Sequence, residues 1–418
     1  MHPPPTPRSW SASLRTLAGW CQWAIPVGVL AGTASALFLW SLDRATETRE
    51  ALPWLLWLLP AAGLGVGWIY HRFGQKAEGG TNLIIDQIHT PGGGVPGRLA
   101  PLVFVGTLIT HGCGGSAGRE GTAVQMGGSI AGVLGRKFQL PPATLRVVLM
   151  AGVAAGFGSV FGTPLAGAVF AFEVIATDRR QYRMLLPLLV ASWVGHLTCT
   201  AWGIQHALYR ISSGTDPQLS AFFEPRLGIK VLLAAVIFGG VSRAFTALCH
   251  GLNDAFKRYV SYPPLRPMIG GMLVIALVYL VGTRDYLGLG VRANDPAAVT
   301  LLSAFDAGGA GPWSWAWKLI FTVVTVASGF KGGEVTPLFF IGATLGHALA
   351  LVLGAPVDLL AGLGLIAVFA GATKTPLACT LLGVELFGVH YAGYFAVTCW
   401  LAQRCSGSAT LYSRPARA

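Results

Sequence analysis

The sequence predicts an all-α integral membrane protein built from broken and tilted helices, and three observations predict it. Of its 418 residues 53% are hydrophobic and 11% charged, and the mean hydropathy is +0.60. The apolar residues gather into separate stretches, several shorter than the roughly 20 residues a helix needs to span a bilayer. The chain also carries 56 glycines and 25 prolines. Non-helical backbone at membrane depth persists only where protein or a water-filled cavity satisfies it.

In chain order the apolar stretches fall at 20–40, 53–70, 98–112, 122–135, 143–158, 164–176 and 184–203. A second set follows at 228–249, 266–283, 313–329, 336–354, 358–372 and 376–402. Ala34-Ser35-Ala36 has the small-residue form of a signal cleavage site, but the run around it is long enough to be a span, which is the preferred reading. No linker, low-complexity block or appended soluble domain interrupts the chain, so 1–418 reads as one membrane transport domain. Its repeats lie at about 20–205 and 225–402, with basic cytoplasmic tails at both ends.

The repeat is carried by motifs. Gly162-Thr163-Pro164-Leu165-Ala166, followed by Phe172-Glu173, returns as Lys374-Thr375-Pro376-Leu377-Ala378, followed by Val384-Glu385, with the same Thr-to-Glu spacing. A glycine-rich glutamate precedes each copy: Glu120 before Thr163 and Glu334 before Thr375. Such duplication is typical of transporters, where inverted repeats place a substrate site near the bilayer midplane. Inversion is the preferred arrangement here. Half-helix N-termini meeting at that interface offer unpaired N–H groups, which favours an anionic substrate.

The net charge of +12 does not point to nucleic acid. Basic residues fall in short tails and loops, at Arg8, Arg15, Arg72, Lys76, Arg179, Arg180, Arg183, Lys257, Arg258, Arg404, Arg414 and Arg417, without an aromatic-interleaved basic face. Positive-inside orientation accounts for them and places both termini in the cytoplasm; anionic lipid headgroups are the other ordinary partner. The seven cysteines form no C-x-x-C pair and read as small core residues. No metal or organic cofactor is implied.

The strongest local signal is Gly118-Arg119-Glu120-Gly121-Thr122. A carboxylate at bilayer depth costs about 2.5–3.5 kcal/mol, so it normally faces an ion path, a proton relay or a partner. The flanking Gly118 and Gly121 leave backbone N–H groups open to a ligand. Two further segments place Gly and a hydroxyl or amide ahead of an apolar run: Gly79-Gly80-Thr81-Asn82 and Gly332-Gly333-Glu334-Val335-Thr336-Pro337. Thr81, Asn82, Thr122 and Thr336 serve either as anion donors or as helix caps.

These residues resemble the CLC family of anion channels and anion/proton antiporters over nearly the whole chain. The match rests on the 118–121 motif with Gln125 and Gly127-Gly128, on Phe161 to Gly167 with Glu173, on Gly333 to Pro337, and on Tyr412. The resemblance implies an inverted-repeat, CLC-type fold, a homodimer, and one anion pathway per subunit. It makes Glu120 the gate, sitting in an anion site when ionised and moving aside when protonated. It also turns Tyr412, otherwise an interfacial anchor, into a hydroxyl donor at the inner end of the path.

Departures from the chloride-type pattern narrow the reading. Thr81-Asn82-Leu83-Ile84 replaces a serine-containing segment, Thr122 replaces a proline, and Val174 stands where proton-coupled chloride exchangers keep a second glutamate. These substitutions resemble the fluoride-exporting branch. A small, strongly hydrated anion needs close donors to replace its water, which Thr336 and backbone N–H groups can supply. Glu334 would repel that anion unless protonated or turned away, so Glu120 and Glu334 are expected to share the proton work; the competing reading makes Glu334 structural. Glu173 and Glu385 are expected to be structural, and Arg119 is left outside the site.

Gly114-Gly115-Ser116-Ala117-Gly118 also fits the G-x-S-x-G nucleophile pattern, which is weak without strand-turn-helix context and a histidine on Ser116. The preferred reading is therefore no enzyme but a fluoride/proton antiporter of a bacterial inner (cytoplasmic) membrane. Its partners are fluoride, protons, membrane lipid and a second copy of the chain. The alternative is a chloride, nitrate or other anion transporter or channel of the same family.

Overall fold

The computed structural model describes residues 10–74, 77–90, 94–175, 179–212 and 225–412. The basic tail residues Arg8, Arg414 and Arg417, and the loop residue Lys76, lie outside the described residues, as do the side chains of Arg179 and Arg180. The described residues form helices and connections without a β-strand; the one β-bridge is isolated. The first half holds α1 (Trp10–Ala51), α2 (Leu59–Phe73), α3 (Gly80–His89), α4 (Leu99–Gly112), α5 (Glu120–Lys137), α6 (Pro142–Phe161), α7 (Pro164–Ile175) and α8 (Leu185–Ala201). The second holds α9 (Pro225–Tyr259), α10 (Leu265–Val281), α11 (Ser314–Ala327), α12 (Val335–Leu353), α13 (Val357–Thr373), α14 (Pro376–Phe387) and α15 (Ala392–Cys405).

Local chemistry sets these boundaries. Proline opens α6, α7, α9 and α14, where a missing N–H costs nothing. Left-handed residues close α6 at Gly162 (φ 74°) and α13 at Lys374 (φ 63°). Lys374 occupies a position that favours glycine. Its Nζ donates to Ser406 Oγ and to Gly407 O (2.8 Å), fastening the end of α13 to the C-terminal segment.

Among the described residues six helical segments are long and apolar enough to cross a membrane, and α4, α7, α10, α11, α13 and α14 are apolar but shorter. The expectation of broken helices is met. Two details differ from it. The 376–402 stretch is two helices, because Gly388 (φ 100°) ends α14. The 53–70 stretch opens with a 3₁₀ turn, Pro53–Leu58, before α2. Helix α3, too short to count among the apolar stretches, carries the run expected after Gly79-Gly80-Thr81-Asn82.

The same order of packing appears in both halves. Helices α4 to α7 pack in succession and α8 closes on α1 and α6; α11 to α14 pack likewise and α15 closes on α9 and α13. Small residues bring two pairs into backbone contact. A Cβ at Gly127 would lie 2.1 Å from Gly152 O between α5 and α6, and one at Gly342 2.0 Å from Gly364 O between α12 and α13.

Helices α7 and α14 cap one another. Glu385 on α14 accepts from the amides of Leu165 (2.9 Å) and Ala166 (2.7 Å), while Glu173 on α7 accepts from those of Leu377 (3.2 Å) and Ala378 (2.7 Å). Each carboxylate near one helix's C-terminus meets the other's N-terminus, so the two run antiparallel. The matching spacing of the two T-P-L-A segments thus becomes a reciprocal clamp.

Candidate functional site

The two glycine-rich glutamate motifs, far apart in sequence, meet as an antiparallel bridge. Gly118 N–H donates to Gly333 O (2.5 Å) and Gly333 N–H to Gly118 O (2.7 Å). Glycine is required for this approach. A Cβ at Gly118 would lie 2.9 Å from Gly333 O, and one at Gly333 2.7 Å from Gly121 N. The bridge brings the start of α5 against the start of α12.

Glu120 crosses from one start to the other. It is 1% exposed, and its carboxylate accepts both the hydroxyl of Thr336 and the Thr336 amide (3.1 Å) at the first turn of α12. A third bond comes from the Arg119 amide (3.1 Å), and Arg119 Nε stands 3.6 Å away. An anion is thereby held by two amides, a hydroxyl and the positive end of a helix dipole. Any small anion placed there would find the same donors.

Not every expected donor is free. Gly118 was expected to offer its N–H to an anion, but both its amide and its carbonyl are engaged by Gly333. The Thr122 hydroxyl, also expected in the site, is buried against that of Thr107 (2.7 Å), because both lie on the α4–α5 contact. Thr81 accepts from Gln125 Nε2 (3.4 Å), which ties α3 to α5. Gly121 and Val335 are buried beside the bridge. Tyr412 is buried edge-on against Phe170 (6.1 Å), and its hydroxyl bonds no described residue. Ring contacts continue from Phe170 through Phe157 and Phe161 to Phe339, one turn beyond Thr336.

Glu334 behaves differently from Glu120. Although it precedes α12 as Glu120 begins α5, it lines a cavity of about 840 Å³ together with Asn82, Glu78, Lys331, His250 and Leu411. Lys331 stands over the Tyr70 ring, with Nζ 4.0 Å from its centre. A second cavity of about 740 Å³ reaches Arg119, and the two share no lining residue. The bridge and Glu120 therefore stand between two separate cavities.

Residues 62–407 match the family described as voltage gated chloride channel. This chain is a member of the CLC family. It is 46% identical over 402 residues to a "Chloride/fluoride channel protein" of Pseudomonas syringae pv. tomato, covering 95% of this chain and 86% of that one. Among solved structures it superposes on a CLC-type fluoride/proton antiporter with a TM-score of 0.86 and 34% identity, over 95% of this chain and 97% of that one. A slow cyanobacterial Cl⁻/H⁺ antiporter shares the fold at 20% identity, with a TM-score of 0.78 over 93% and 94% of the two chains. The protein is accordingly a multi-pass membrane protein of a transporter family.

Within this CLC chain the G-x-S-x-G segment has no hydrolase geometry. Ser116 lies between helices, its hydroxyl against that of Thr322 (3.0 Å), and among the described residues no histidine bonds it. Nearby His111 instead faces Gly118 O (3.4 Å). Sequence reasoning also passed over several interior cations. Arg49 lines the second cavity, Lys318 is fully buried with Nζ on Tyr286 O (3.1 Å) and Gly288 O (2.8 Å), and Lys331 faces Glu334's cavity. Not all basic residues sit in tails and loops. Hydropathy cannot separate a loop lysine from one folded inward, though Lys318 within an apolar run was the available signal.

Proposed function

We propose that the protein exchanges fluoride for protons across the membrane, with Glu120 as the protonatable gate. One observation carries this reading: the Glu120 carboxylate occupies the hydroxyl and amide of Thr336 at the start of α12. Ionised, Glu120 holds those donors and closes the path. Protonated, it becomes a poorer acceptor for them and withdraws, and fluoride takes its place. Fluoride enters cells as its neutral acid, dissociates at the higher internal pH and is trapped. Expelling the ion while admitting a proton clears it.

Other residues take supporting roles in this reading. Glu334 passes protons between Glu120 and the cavity it lines. Asn82 and Tyr412 serve the inner end of the path, Gly118, Gly121 and Val335 hold the start of α5 against that of α12, and Thr81 and Thr122 fasten α3 and α4 to α5. Two repeats, about 20–205 and 225–402, are inverted relative to each other, as the antiparallel pairing of α7 with α14 supports. Positive-inside orientation puts Arg72, Lys257 and Arg258 in the cytoplasm of a bacterial inner membrane, with both termini. Glu334's cavity, lined also by Lys257, then opens inward. Exposed Leu165 and Leu377 on the clamped pair α7 and α14 face a second copy in a homodimer.

Chloride is the competing substrate, kept in view by the similarity to the Pseudomonas syringae chloride/fluoride channel protein. Purified protein in liposomes loaded with fluoride or chloride decides between them when anion efflux and internal pH are recorded together. Fluoride efflux that drives protons inward, with little chloride movement, is the expected result. Chloride flux equal to or above that of fluoride would reject the substrate. Fluoride flux without proton movement would reject the coupling.

A further inference from the structure

Two histidines outside the Glu120 site stand side by side. The ring of His196, in the last turns of α8, lies 5.9 Å from that of His206, in the connection that follows, with the planes tilted by 40°. Between them in the chain, the Trp202 indole N–H donates to Thr33 Oγ1 (3.3 Å) and ties the connection to α1.

The hydrogen bonding of the pair is one-sided. His206 Nε2 donates to Ser159 O (2.8 Å) in the last turn of α6. A carbonyl only accepts, so in the neutral imidazole that bond places the proton on Nε2 and leaves Nδ1 as a lone pair. The α6–α7 turn keeps Nδ1 uncovered, since a Cβ on Gly162 (φ 74°) would stand 2.9 Å from it. His196 Nδ1 is buried with no hydrogen-bond partner among the described residues, and so is Thr163 Oγ1, next to Gly162. Buried polar atoms are rarely left so, because they forfeit their hydration.

A metal-bound imidazole has the arrangement of His206: one nitrogen donates to a carbonyl, which fixes the tautomer, and the other carries the metal. Two imidazoles sharing an ion through bonds of about 2.0–2.1 Å hold their ring centres roughly 5–6 Å apart. Among the described residues no third histidine, cysteine or acid completes a cluster, and Cys199, one turn beyond His196, is packed in an apolar cluster with Phe38 and Leu39. Water therefore fills the remaining positions, as at an open, exchangeable site. Arg119 lies within electrostatic reach of His206 and opposes a cation held by charge alone. That disfavours Mg²⁺ and Ca²⁺, which take oxygen ligands, and favours an ion bonded through nitrogen lone pairs.

We infer that His196 and His206 form a binding site for a late first-row divalent metal ion, of the Zn²⁺ or Cu²⁺ class. Gln205 and Ala207, on either side of His206 in the chain, line the cavity that reaches Arg119, so the ion arrives from that side of the protein. Once bound, it fastens the connection after α8 to α8 itself and, through Ser159 and Gly162, to the turn that leads into the clamped helix α7. The inference uses none of the residues placed on the anion path and does not depend on which anion is moved.

Isothermal titration of the purified full-length protein, free of any polyhistidine tag, with zinc chloride reads the site directly. At neutral pH one zinc event per chain is expected, which magnesium chloride does not reproduce and which prior blocking of thiols with iodoacetamide leaves in place. His196→Gln and His206→Gln should each weaken it by about tenfold or more. Lowering the pH to about 5.5 should weaken wild-type binding comparably, because protons compete for the same lone pairs. No zinc event in wild type, an event abolished by iodoacetamide, or an event of unchanged affinity at low pH or in either folded histidine variant overturns the site. The thiol-blocking and pH arms use wild type alone, so they decide the matter where a variant fails to fold.

Discussion

Two pairs of glutamates sit at matching places in the two halves, and they have opposite fates. Glu173 and Glu385 mirror each other, each bonded to two amides at the start of the partner's helix. Glu120 and Glu334 do not. Glu120 reaches across the Gly118–Gly333 bridge to Thr336, whereas Glu334 turns into a cavity. A symmetric pair satisfies its carboxylates once and for good, which is what a fastening requires. An asymmetric pair leaves one carboxylate on donors at a helix start and the other beside a cavity, the arrangement that the proposed exchange uses.

The largest expected effect tests that asymmetry at its centre. Glu120→Gln preserves the shape but removes the charge and the proton, so proton uptake driven by a fluoride gradient in liposomes should fall by about 100-fold or more. Retention of coupled uptake would mean that Glu120 is merely a cap, like Glu173. At the symmetric pair, Glu173→Ala and Glu385→Ala should each lower stability by about 1–3 kcal/mol, since each strands two helix-start amides. Thermal unfolding of the two variants in detergent would check it, and fluoride flux per folded protein should stay near wild type. A markedly unequal cost would break the mirror relation.

Smaller effects sharpen the contrast. Thr336→Ala removes the hydroxyl donor but keeps the amide, and fluoride binding by titration should weaken by about tenfold. An unchanged affinity would remove Thr336 from the site. Glu334→Gln should change least: its anion affinity is expected to stay within a few-fold of wild type, while the dependence of coupled flux on internal pH flattens. A pH profile superposable on wild type would make Glu334 structural, and the two glutamate pairs alike.

How much of this was legible in the chain depends on how local the signal was. The G-R-E-G motif announced Glu120, because a carboxylate between glycines in an apolar chain has few other uses. The equal Thr-to-Glu spacing marked Glu173 and Glu385 as equivalent, though not that each would cap the other's helix. Thr81, Thr122 and Thr336 looked interchangeable as donors. Only Thr336 touches Glu120, since the other two hydroxyls meet Gln125 and Thr107 across packed helices. Arg49 and Lys318 were passed over, because the carbonyls and cavity that receive them come from segments remote in sequence.

By itself the sequence determined the membrane class, the broken helices, the duplication and the gate candidate. Each follows from composition or from motifs a few residues long, where hydropathy, glycine content and spacing act locally. Tertiary structure alone decided that Gly118 would pair with Gly333, and that Glu120 would take the Thr336 donors while Glu334 faced a cavity. Those outcomes depend on which helix starts meet and at what distance, and a hydrogen bond exists only at that distance.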